Sequence, residues 1–298
     1  LPILHEIDED DDWTPDNPKH VQVWKKANPS LGITTSIDDF ERDCRKAIDV
    51  PSSTASFLRY RLNVWTQATE RSIDLEKWQK CNGLVDPTTW EHRPVFVGLD
   101  LSATTDTTAL AAICEVDDVW LVHPIIWLPE EQLIEREKRD RALYETWHRQ
   151  GHLRLTPGSA IDYTTVLADI VEFLEPLNTK TIAIDPYNAQ WIASQLMDGH
   201  GYDVRAFRQG FLSMSPAIKE LERRYLEGEL AHANHPVLLW MAGNVKHKTD
   251  DAGNVKYVKE SQAARIDAMI ALAMAVGVSM DGETSRSSIY ESRGIVYV

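Results

Sequence analysis

Three aspartates in this chain lie where a carboxylate is costly unless it is paired or bound to a metal. Asp100 ends the apolar segment PVFVGLD, Asp185 ends the segment TIAID, and Asp267 lies in the apolar segment RIDAMIALAMA. An ionised carboxylate among apolar neighbours loses its hydration and needs a compensating partner. One such residue can result from packing alone, but three together indicate an oxygen-ligand site for a hard divalent cation.

This arrangement suits the hydrolysis of a phosphodiester. The segments that end at Asp100 and Asp185 are typical of strands, and the segment around Asp267 is typical of a buried helix. If the two strands are neighbours, their carboxylates converge at one edge of the sheet. Two Mg²⁺ ions about 3.5–4 Å apart can hold the attacking water and the leaving oxygen of a phosphodiester. We therefore expect Asp100 to bridge two ions, with Asp185 and Asp267 each completing one of them.

The loop that follows Asp100 adds a second source of polar groups. Its sequence, LSATTDTT, can supply hydroxyls and backbone amides to a phosphate. Asp106 in this loop is an accessory candidate for the site, although an aspartate in such a loop more often stabilises a turn.

The rest of the chain predicts the elements that position these residues. Three β-rich runs form a meander, in which Asp117 and Asp118 make the second turn, and helices and strands then alternate. This order predicts an α/β fold with a mixed sheet flanked by helices. The other expected elements are helices over 36–48, 53–63, 130–150, 215–227 and 263–278, and a hairpin of strands over 237–246 and 254–259. The expected parts are a helical N-terminal segment over 1–90, an α/β domain over 91–280 and a C-terminal tail over 281–298.

The composition restricts the class of protein. The 298 residues are 43% hydrophobic and carry a formal net charge of -15, which argues against a surface that binds nucleic acid everywhere. No run of about 18 apolar residues is present, so no membrane-spanning helix is expected. The acidic N-terminus is unlike a signal peptide. The three cysteines are far apart in the sequence and are expected to be reduced.

A local basic groove is predicted from four lysines of the expected hairpin just before Asp267. Lys246, Lys248, Lys256 and Lys259 are candidates for contacts with a DNA backbone, and Lys259 is expected to approach the scissile phosphate. Contacts of this kind position a duplex without reading its sequence. Lysines that simply keep a strand solvated are the competing explanation.

Two aromatic residues follow Asp185 closely. Tyr187 and Trp191 are four positions apart, which is the spacing of neighbours on one face of a helix. We expect them to pack within the fold rather than to stack on bases. The weaker candidates for contacts with DNA are Arg205, Arg208, Arg223 and Arg224.

In their order and spacing, these motifs resemble the C-terminal nuclease domain of phage large terminase subunits, of the type found in tailed phages with HK97-like packaging. GLDLSATTDTT, which contains Asp100, resembles the first acidic motif of the family, and AIDPY, which contains Asp185, resembles the second. RIDAMIAL, which contains Asp267, resembles the third together with Lys259. DDW, WKKANPSLG and FLRYRLNVW resemble the segment that links the ATPase domain of the family to its nuclease. The resemblance covers nearly the whole chain.

The resemblance implies an RNase H-like fold over 91–280, a helical interdomain linker over 1–90, and an endonuclease that cuts concatemeric double-stranded viral DNA during genome packaging. It implies that Asp100, Asp185 and Asp267 are catalytic and hold two Mg²⁺ or Mn²⁺ ions. The implied partners are double-stranded DNA, the small terminase subunit, the portal protein and, in some members of the family, an HNH endonuclease, in the host cytoplasm during infection.

The ATPase motor of the family needs a phosphate-binding Gly-x4-Gly-Lys-Ser/Thr loop. This sequence contains no such loop. We therefore expect a fragment that does not translocate DNA by itself, and a first residue that is Leu rather than Met favours the same view.

Other functions remain open from the sequence alone. Transposases and junction resolvases are further RNase H-like enzymes, although the linker motifs favour a terminase. An actin- or Hsp70-like ATP-binding domain also has a phosphate loop after its first strand, but its second phosphate motif has Gly after Asp, where this chain has Pro186. A docking module without catalysis would treat the three acids as structural remnants, and the intact triad argues against it.

Overall fold

The computed structural model divides the chain into two compact units, with the division after residue 71. It describes residues 5–8, 10–49, 51–64, 72–102, 107–131, 133–187, 189–261 and 263–284. Asp106 and residues 285–298 of the expected tail lie outside the described residues. Residues 72–90, which we expected in the N-terminal segment, belong to the second unit by their contacts.

The first unit is helical around an aromatic core. Its helices are α1 (His20–Ala27), α2 (Ile37–Asp49) and α3 (Pro51–Arg61). The ring of Phe40 lies 4.9 Å from that of Trp24 and 5.4 Å from that of Phe57, measured between centroids. Aromatic contacts of this kind contribute about 0.5–1.5 kcal/mol each beyond the area that they bury. The two helices predicted over 36–48 and 53–63 are confirmed, with bounds shifted by one or two residues.

In its described residues, the second unit is built on a seven-stranded mixed sheet. Its strands are β1 (Pro94–Asp100), β2 (Thr108–Val116), β3 (Val119–Pro129), β4 (Arg154–Thr156), β5 (Asn178–Ile184), β6 (Val204–Ala206) and β7 (Leu230–Ala231). The spatial order is β4-β3-β2-β1-β5-β6, and β7 pairs with β3. A separate antiparallel hairpin consists of β8 (Val245–Thr249) and β9 (Val255–Lys259).

Helices cover both faces of this sheet, as predicted. The helices of the second unit are α4 (Leu75–Lys80), α5 (Leu133–Asp140), α6 (Tyr144–Arg149), α7 (Tyr163–Leu174), α8 (Gln190–Ser194), α9 (Phe211–Glu227), α10 (Pro236–Gly243) and α11 (Asp267–Thr284), with a 3-10 turn at Pro87–Thr89 and a π-helical turn at Gln195–Gly199. One core lies between the sheet and α7 and α8, and the other lies between the sheet and α9, α10 and α11.

The direction of the strands decides which of their ends meet. β1, β2 and β3 form the predicted antiparallel meander, and Asp117 and Asp118 make its second turn with φ values of 51° and 65°. β5 pairs with β1 in parallel, and β6 pairs with β5 in parallel. The carboxyl ends of β1, β5 and β6 therefore lie side by side at one edge of the sheet.

The prediction of a single helix over 130–150 is wrong, because the described residues of this range form two helices. α5 ends at Asp140, and α6 begins at Tyr144. Between them Arg141 has a φ of 53°, in the left-handed region that ends a helix. The charged amphipathic pattern continues across this break, so the pattern alone gave no sign of it.

The strand predicted over 237–246 is also wrong over most of its length. Pro236 to Gly243 form α10, and only the segment from Val245 onward is a strand. Pro236 occupies the first turn of this helix, where its missing N–H costs nothing. A ring nitrogen of His235 accepts a hydrogen bond from the amide of Leu238 at 3.4 Å. The run VLLWMA is too short for its apolar pattern to distinguish a helix from a strand.

α9 begins four residues before its predicted start. Its N-cap is Gly210, and Ser213 and Ser215 lie inside the helix. Ser215 is buried, and its hydroxyl accepts a hydrogen bond from the amide of Val255 at 3.1 Å. This bond ties β9 to α9, so the serine stabilises a tertiary contact instead of a helix end.

α11 is buried on all sides from Asp267 to Ser279. Every residue from Ala264 to Ser279 is buried, which is the pattern of a central helix rather than of a surface helix. Within the part of the chain that the structure describes, no helix combines the length and the apolar character that crossing a membrane requires.

A buried ion pair fixes the chain just before α11. Arg265 donates from Nε to Oδ2 of Asp140 at 3.2 Å and from Nη2 to Oδ1 at 3.1 Å. Asp140 also accepts hydrogen bonds from the Tyr144 hydroxyl at 2.9 Å and from Arg139 Nε at 2.6 Å. Burial alone would raise the pKa of Asp140, but these hydrogen bonds and the charges of the two arginines lower it below its usual value.

Asp140→Asn is expected to destabilise the protein by about 1–3 kcal/mol, because it leaves buried Arg265 with a weaker partner. For a unit of this size, the melting temperature falls by roughly 2–4 °C for each kcal/mol. A lowered pKa gives a stabilisation that is complete above the ordinary pKa of 3.8 and is lost as the pH falls below it. Thermal unfolding of both proteins at pH 7 and near pH 3 tests this. A difference in melting temperature that does not shrink at the lower pH would contradict the assignment.

Candidate metal centre

Asp100 and Asp185 lie beside each other at the carboxyl edge of the sheet. Leu99 of β1 is in register with Ile184 of β5, and each aspartate is the next residue of its chain segment. The prediction that these two strands are neighbours is therefore confirmed. The two carboxylates belong to the edge where functional sites of α/β sheets form.

Gly98 allows α11 to pack directly against the face of β1 on which Asp100 also lies. Side chains alternate along a strand, so Gly98 and Asp100 point to one face, while Leu99 points to the face that α7 covers. A Cβ atom on Gly98 would lie 1.9 Å from the carbonyl oxygen of Ala271. The absence of a side chain thus allows the backbone of α11 to touch the strand. Asp267 lies one helical turn before Ala271.

Asp267 is the first residue of α11 and is held by a hydrogen bond from the loop that follows Asp100. Asp267 is buried, and its Oδ2 accepts a hydrogen bond from the hydroxyl of Thr107, which is itself buried. Thr107 precedes β2 and ends the polar loop that follows Asp100. The hydroxyl of Tyr163 donates to the carbonyl oxygen of Ser102, near the beginning of that loop.

The charges at this edge act on one another. The pKa of Asp100 is raised well above its ordinary value of 3.8, first by burial, then by the negative charge of Asp267 and, more weakly, by that of Asp185. A hydrogen bond from Gln209 and the positive charge of Lys259 oppose this shift. The ionised site is thus short of positive charge, which is the electrostatic condition that a bound divalent cation relieves.

Hydrogen bonds hold two of the carboxylates in place. Gln209 Nε2 donates to Asp100 Oδ1 at 2.8 Å, and the amide of Tyr187 donates to Asp185 Oδ1 at 2.9 Å. Gln209 lies in the loop after β6, two strands away from Asp100 in the sheet. No sequence motif marked this glutamine, and its role depends on the parallel pairing of β1, β5 and β6.

The carboxylates of the three aspartates are chemically suited to bind a hard cation. Carboxylate oxygens are the ligands that Mg²⁺ and Mn²⁺ prefer. Among the described residues, however, no three side chains of Asp, Glu, His or Cys are already gathered as a ligand cage. The metal-binding and catalytic roles of Asp100, Asp185 and Asp267 therefore stay predictions. The accessory role of Asp106 falls on a residue outside the described ranges.

The hairpin of β8 and β9 separates the four candidate lysines. Lys248 lies directly across from Lys256, and Lys246 is on the same face because it is two residues from Lys248. Lys259 is on the opposite face, together with buried Tyr257. Lys259 is also the lysine whose charge acts on Asp100. Lys246 forms an ion pair of 3.4 Å with Glu260.

The expectation that Tyr187 and Trp191 pack within the fold is wrong. Tyr187 is 77% exposed and Trp191 is 47% exposed. Tyr187 lies in the turn after Asp185, before α8 begins, so the two rings do not share one helical face. The i, i+4 spacing predicted packing only on the assumption that one continuous helix contains both residues.

Comparison with known families connects this geometry to a class of proteins. A family model described as "Terminase large subunit, endonuclease domain" matches residues 5–283. The chain belongs to the terminase large subunit family. The match covers both compact units and includes every described residue of the candidate metal centre.

Individual relatives agree with this assignment. The chain is 38% identical over 270 residues to the terminase large subunit of Enterobacteria phage HK97, covering 89% of this chain and 52% of that protein. It is 30% identical over 311 residues to protein YmfN of Escherichia coli (strain K12), covering 98% and 66%. The crystal structure of the HK97 large terminase matches with a TM-score of 0.65 at 37% identity, covering 92% of this chain and 56% of that one.

The terminase assignment settles the fold and the choice among families. The fold is RNase H-like, as the resemblance implied. The terminase family is favoured over the transposase, resolvase and actin-like alternatives, because one family model spans nearly the whole chain. The chain spans about half to two-thirds of the length of these relatives.

Proposed function

We propose that this terminase domain is a metal-dependent endodeoxyribonuclease that cleaves concatemeric double-stranded viral DNA during genome packaging. The observation that supports it most is the position of Asp100, Asp185 and Asp267 on neighbouring elements of a chain of the terminase family. Two of these acids end neighbouring parallel strands, and the third begins the helix that packs on the same face. Each acid belongs to one of the three acidic motifs by which the sequence resembles the family.

In this proposal the three aspartates hold two Mg²⁺ or Mn²⁺ ions. Bound there, the metals would supply Lewis-acid stabilisation of the charge that develops on the phosphate and would favour ionisation of water at neutral pH. Asp100 is central because both other carboxylates act on it electrostatically. Gln209 orients Asp100 through its hydrogen bond, and Thr107 orients Asp267.

The lysines of the hairpin support a path for the DNA backbone. Lys248 and Lys256 are directly opposite each other, and an anion bound between them would relieve the repulsion of like charges in that position. A phosphate of the DNA backbone is such an anion, and Lys246 extends the same face. Lys259, on the other face, is proposed to approach the scissile phosphate, which agrees with the effect of its charge on Asp100.

The proposal of other partners rests on the resemblance to the family and not on the geometry of the site. Beyond double-stranded DNA, we propose the small terminase subunit, the portal protein and an HNH endonuclease as partners in the host cytoplasm. Each candidate partner can be purified, mixed with this chain and tested separately for co-elution with it.

Plasmid cleavage by this chain tests the proposed nuclease. We expect nicked and linear products with Mn²⁺ or Mg²⁺ and none with EDTA. Re-addition of Mn²⁺ in excess of EDTA should restore cleavage, which distinguishes a chelated cofactor from a denatured protein. A folded protein that cuts no plasmid with any divalent metal would contradict the proposal for this chain.

Asp100→Asn is expected to raise the melting temperature measured in EDTA by roughly 2–4 °C, equivalent to about 1 kcal/mol. The wild-type carboxylate has a raised pKa, so its ionisation destabilises the metal-free fold increasingly as the pH rises above 3.8. The gain should therefore be present at pH 7 and absent near pH 4.

Addition of Mn²⁺ should reverse this order. A metal that binds only the folded wild type stabilises it by about 2.7 kcal/mol at a concentration of 100 times Kd. The variant lacks the central ligand and should gain far less. Thermal unfolding with and without Mn²⁺ measures both effects. An Asn variant that is less stable than wild type in EDTA at pH 7 would argue against repulsion among the carboxylates.

A further inference from the structure

The turn after β5 exposes aromatic surface beside the candidate metal centre. Tyr187 is two residues beyond Asp185 and is 77% exposed, although its amide is fixed by a hydrogen bond to the Asp185 carboxylate. Trp191 follows at the start of α8 and is 47% exposed. The backbone that carries the first ring is therefore anchored directly to a candidate metal ligand.

The loop after β6 lies beside this turn and carries an exposed arginine at the same edge of the sheet. Ile184 of β5 is in register with Ala206 of β6, and the amide of Phe207 donates to the carbonyl oxygen of Ile184 at 2.8 Å. Arg208 is exposed in this loop, and Gln209 donates to Asp100. Each of the two loops is thus hydrogen-bonded to a different carboxylate of the site.

These three exposed side chains have the chemistry of a surface for an unpaired DNA strand. Flat aromatic faces stack on bases of any sequence, and a guanidinium binds the phosphate between them. Bases inside an intact duplex are already stacked on one another and offer no free face. A surface of this type therefore gains most from DNA whose strands are separated next to the contact.

We propose that Tyr187, Trp191 and Arg208 bind an unpaired stretch of the cleaved strand next to the scissile phosphate, so that this domain prefers locally opened DNA to intact duplex. The two aromatic residues stack on bases or deoxyriboses, and Arg208 contacts a phosphate. This inference rests on the proposed nuclease function, and it adds the form of DNA that the site accepts.

Binding measured without cleavage tests the surface. Fluorescence anisotropy in Ca²⁺ compares a forked duplex with a blunt duplex of the same sequence. Wild type should bind the fork more tightly. Tyr187→Ala and Trp191→Ala should each weaken binding to the fork by about tenfold to a hundredfold and leave binding to the blunt duplex nearly unchanged.

The salt dependence of DNA binding distinguishes the contribution of Arg208 from that of the aromatic residues. Arg208→Ala should reduce the slope of log K against log salt concentration by about 0.7–0.9, the value for one phosphate contact. The two aromatic variants should keep the wild-type slope. Photocrosslinking of DNA that carries iododeoxyuridine in the unpaired arm should place crosslinks on Tyr187 or Trp191.

Matched controls lie elsewhere in the chain. Tyr60→Ala removes another exposed tyrosine, which is 74% exposed in the first unit. Arg42→Ala removes an exposed arginine that already pairs with Asp39 at 2.9 Å. Both controls should bind the fork as wild type does.

The outcomes distinguish this inference from the proposed nuclease. If wild type cleaves plasmid but binds fork and duplex equally, or if the aromatic variants keep the preference for the fork, the surface is refuted while the nuclease stands. If wild type neither cleaves plasmid with Mn²⁺ nor binds either DNA in Ca²⁺, both proposals fail.

Discussion

Replacing Asp100, Asp185 or Asp267 with Asn is expected to lower metal-dependent cleavage of DNA by at least about a thousandfold. A metal centre contributes several kcal/mol of charge stabilisation to the transition state, and each 1.36 kcal/mol is about a factor of ten in rate. Asn is nearly the size of Asp, so the substitution removes the charge and leaves the packing. Plasmid cleavage in Mn²⁺ over a range of enzyme concentrations measures the loss.

A matched substitution away from the site controls for the loss of an acid as such. Asp198→Asn removes an exposed carboxylate that accepts a hydrogen bond from the Ser194 hydroxyl at 2.9 Å. This variant should cleave as wild type does. Full activity in all three site variants would refute the proposed role of the triad, while loss in only one or two would reassign the ligands.

The acids of the candidate metal centre could be selected from the sequence because of the residues that surround them. Asp100 and Asp185 each follow a run of strand-forming apolar residues, so a carboxylate at a strand end was visible without a structure. Asp267 was visible because a charge is rare within so apolar a helix. The class of fold could also be predicted, because the meander and the later alternation of helices and strands are both local patterns of the sequence.

What the sequence did not predict depends on contacts between distant segments. Gln209 has no motif of its own, and its bond to Asp100 exists because β6 lies two strands from β1 in the sheet. The break at Arg141 lies beside the buried pair of Asp140 and Arg265, which joins segments 125 residues apart. The exposure of Tyr187 and Trp191 depends on where α8 begins, and helix ends are the least reliable part of such predictions.

The division of the four lysines between the two faces of the hairpin was also not predicted, because it depends on how the strands pair. All four are alike in the sequence, yet the register of the hairpin places Lys259 on the opposite face from the other three. Period-two alternation could have predicted this if the register had been known. The register was not visible, because the strand before the turn was taken to begin within what is in fact α10.

Gly98→Ala is expected to reduce both stability and cleavage, although it adds only one methyl group. The new Cβ would lie 1.9 Å from the carbonyl oxygen of Ala271, whereas real Cβ atoms essentially never approach closer than 3.0 Å. α11 and β1 must therefore separate by about 1 Å. The obstacle is a backbone atom, so no side chain can rotate away to relieve it.

This separation also displaces Asp267 from Asp100. We expect a stability loss of about 3 kcal/mol, at the upper end for an overpacked core, and a melting temperature lower by roughly 6–12 °C. A displacement of about 1 Å at a catalytic group costs around a hundredfold in rate. Cleavage should be measured well below the melting temperature of the variant, so that unfolding does not account for the loss.

Gly243→Ala is the matched control, because a Cβ there would make an ordinary contact of 3.6 Å with Leu75. Gly243 ends α10, and Ala should be tolerated there with little change in stability or cleavage. If Gly98→Ala melts and cleaves as wild type does, the close contact between β1 and α11 does not set the position of Asp267. If it loses stability but keeps full cleavage, the contact serves the fold alone. Only a joint loss, absent from the control, supports the view that one missing side chain brings two carboxylates together.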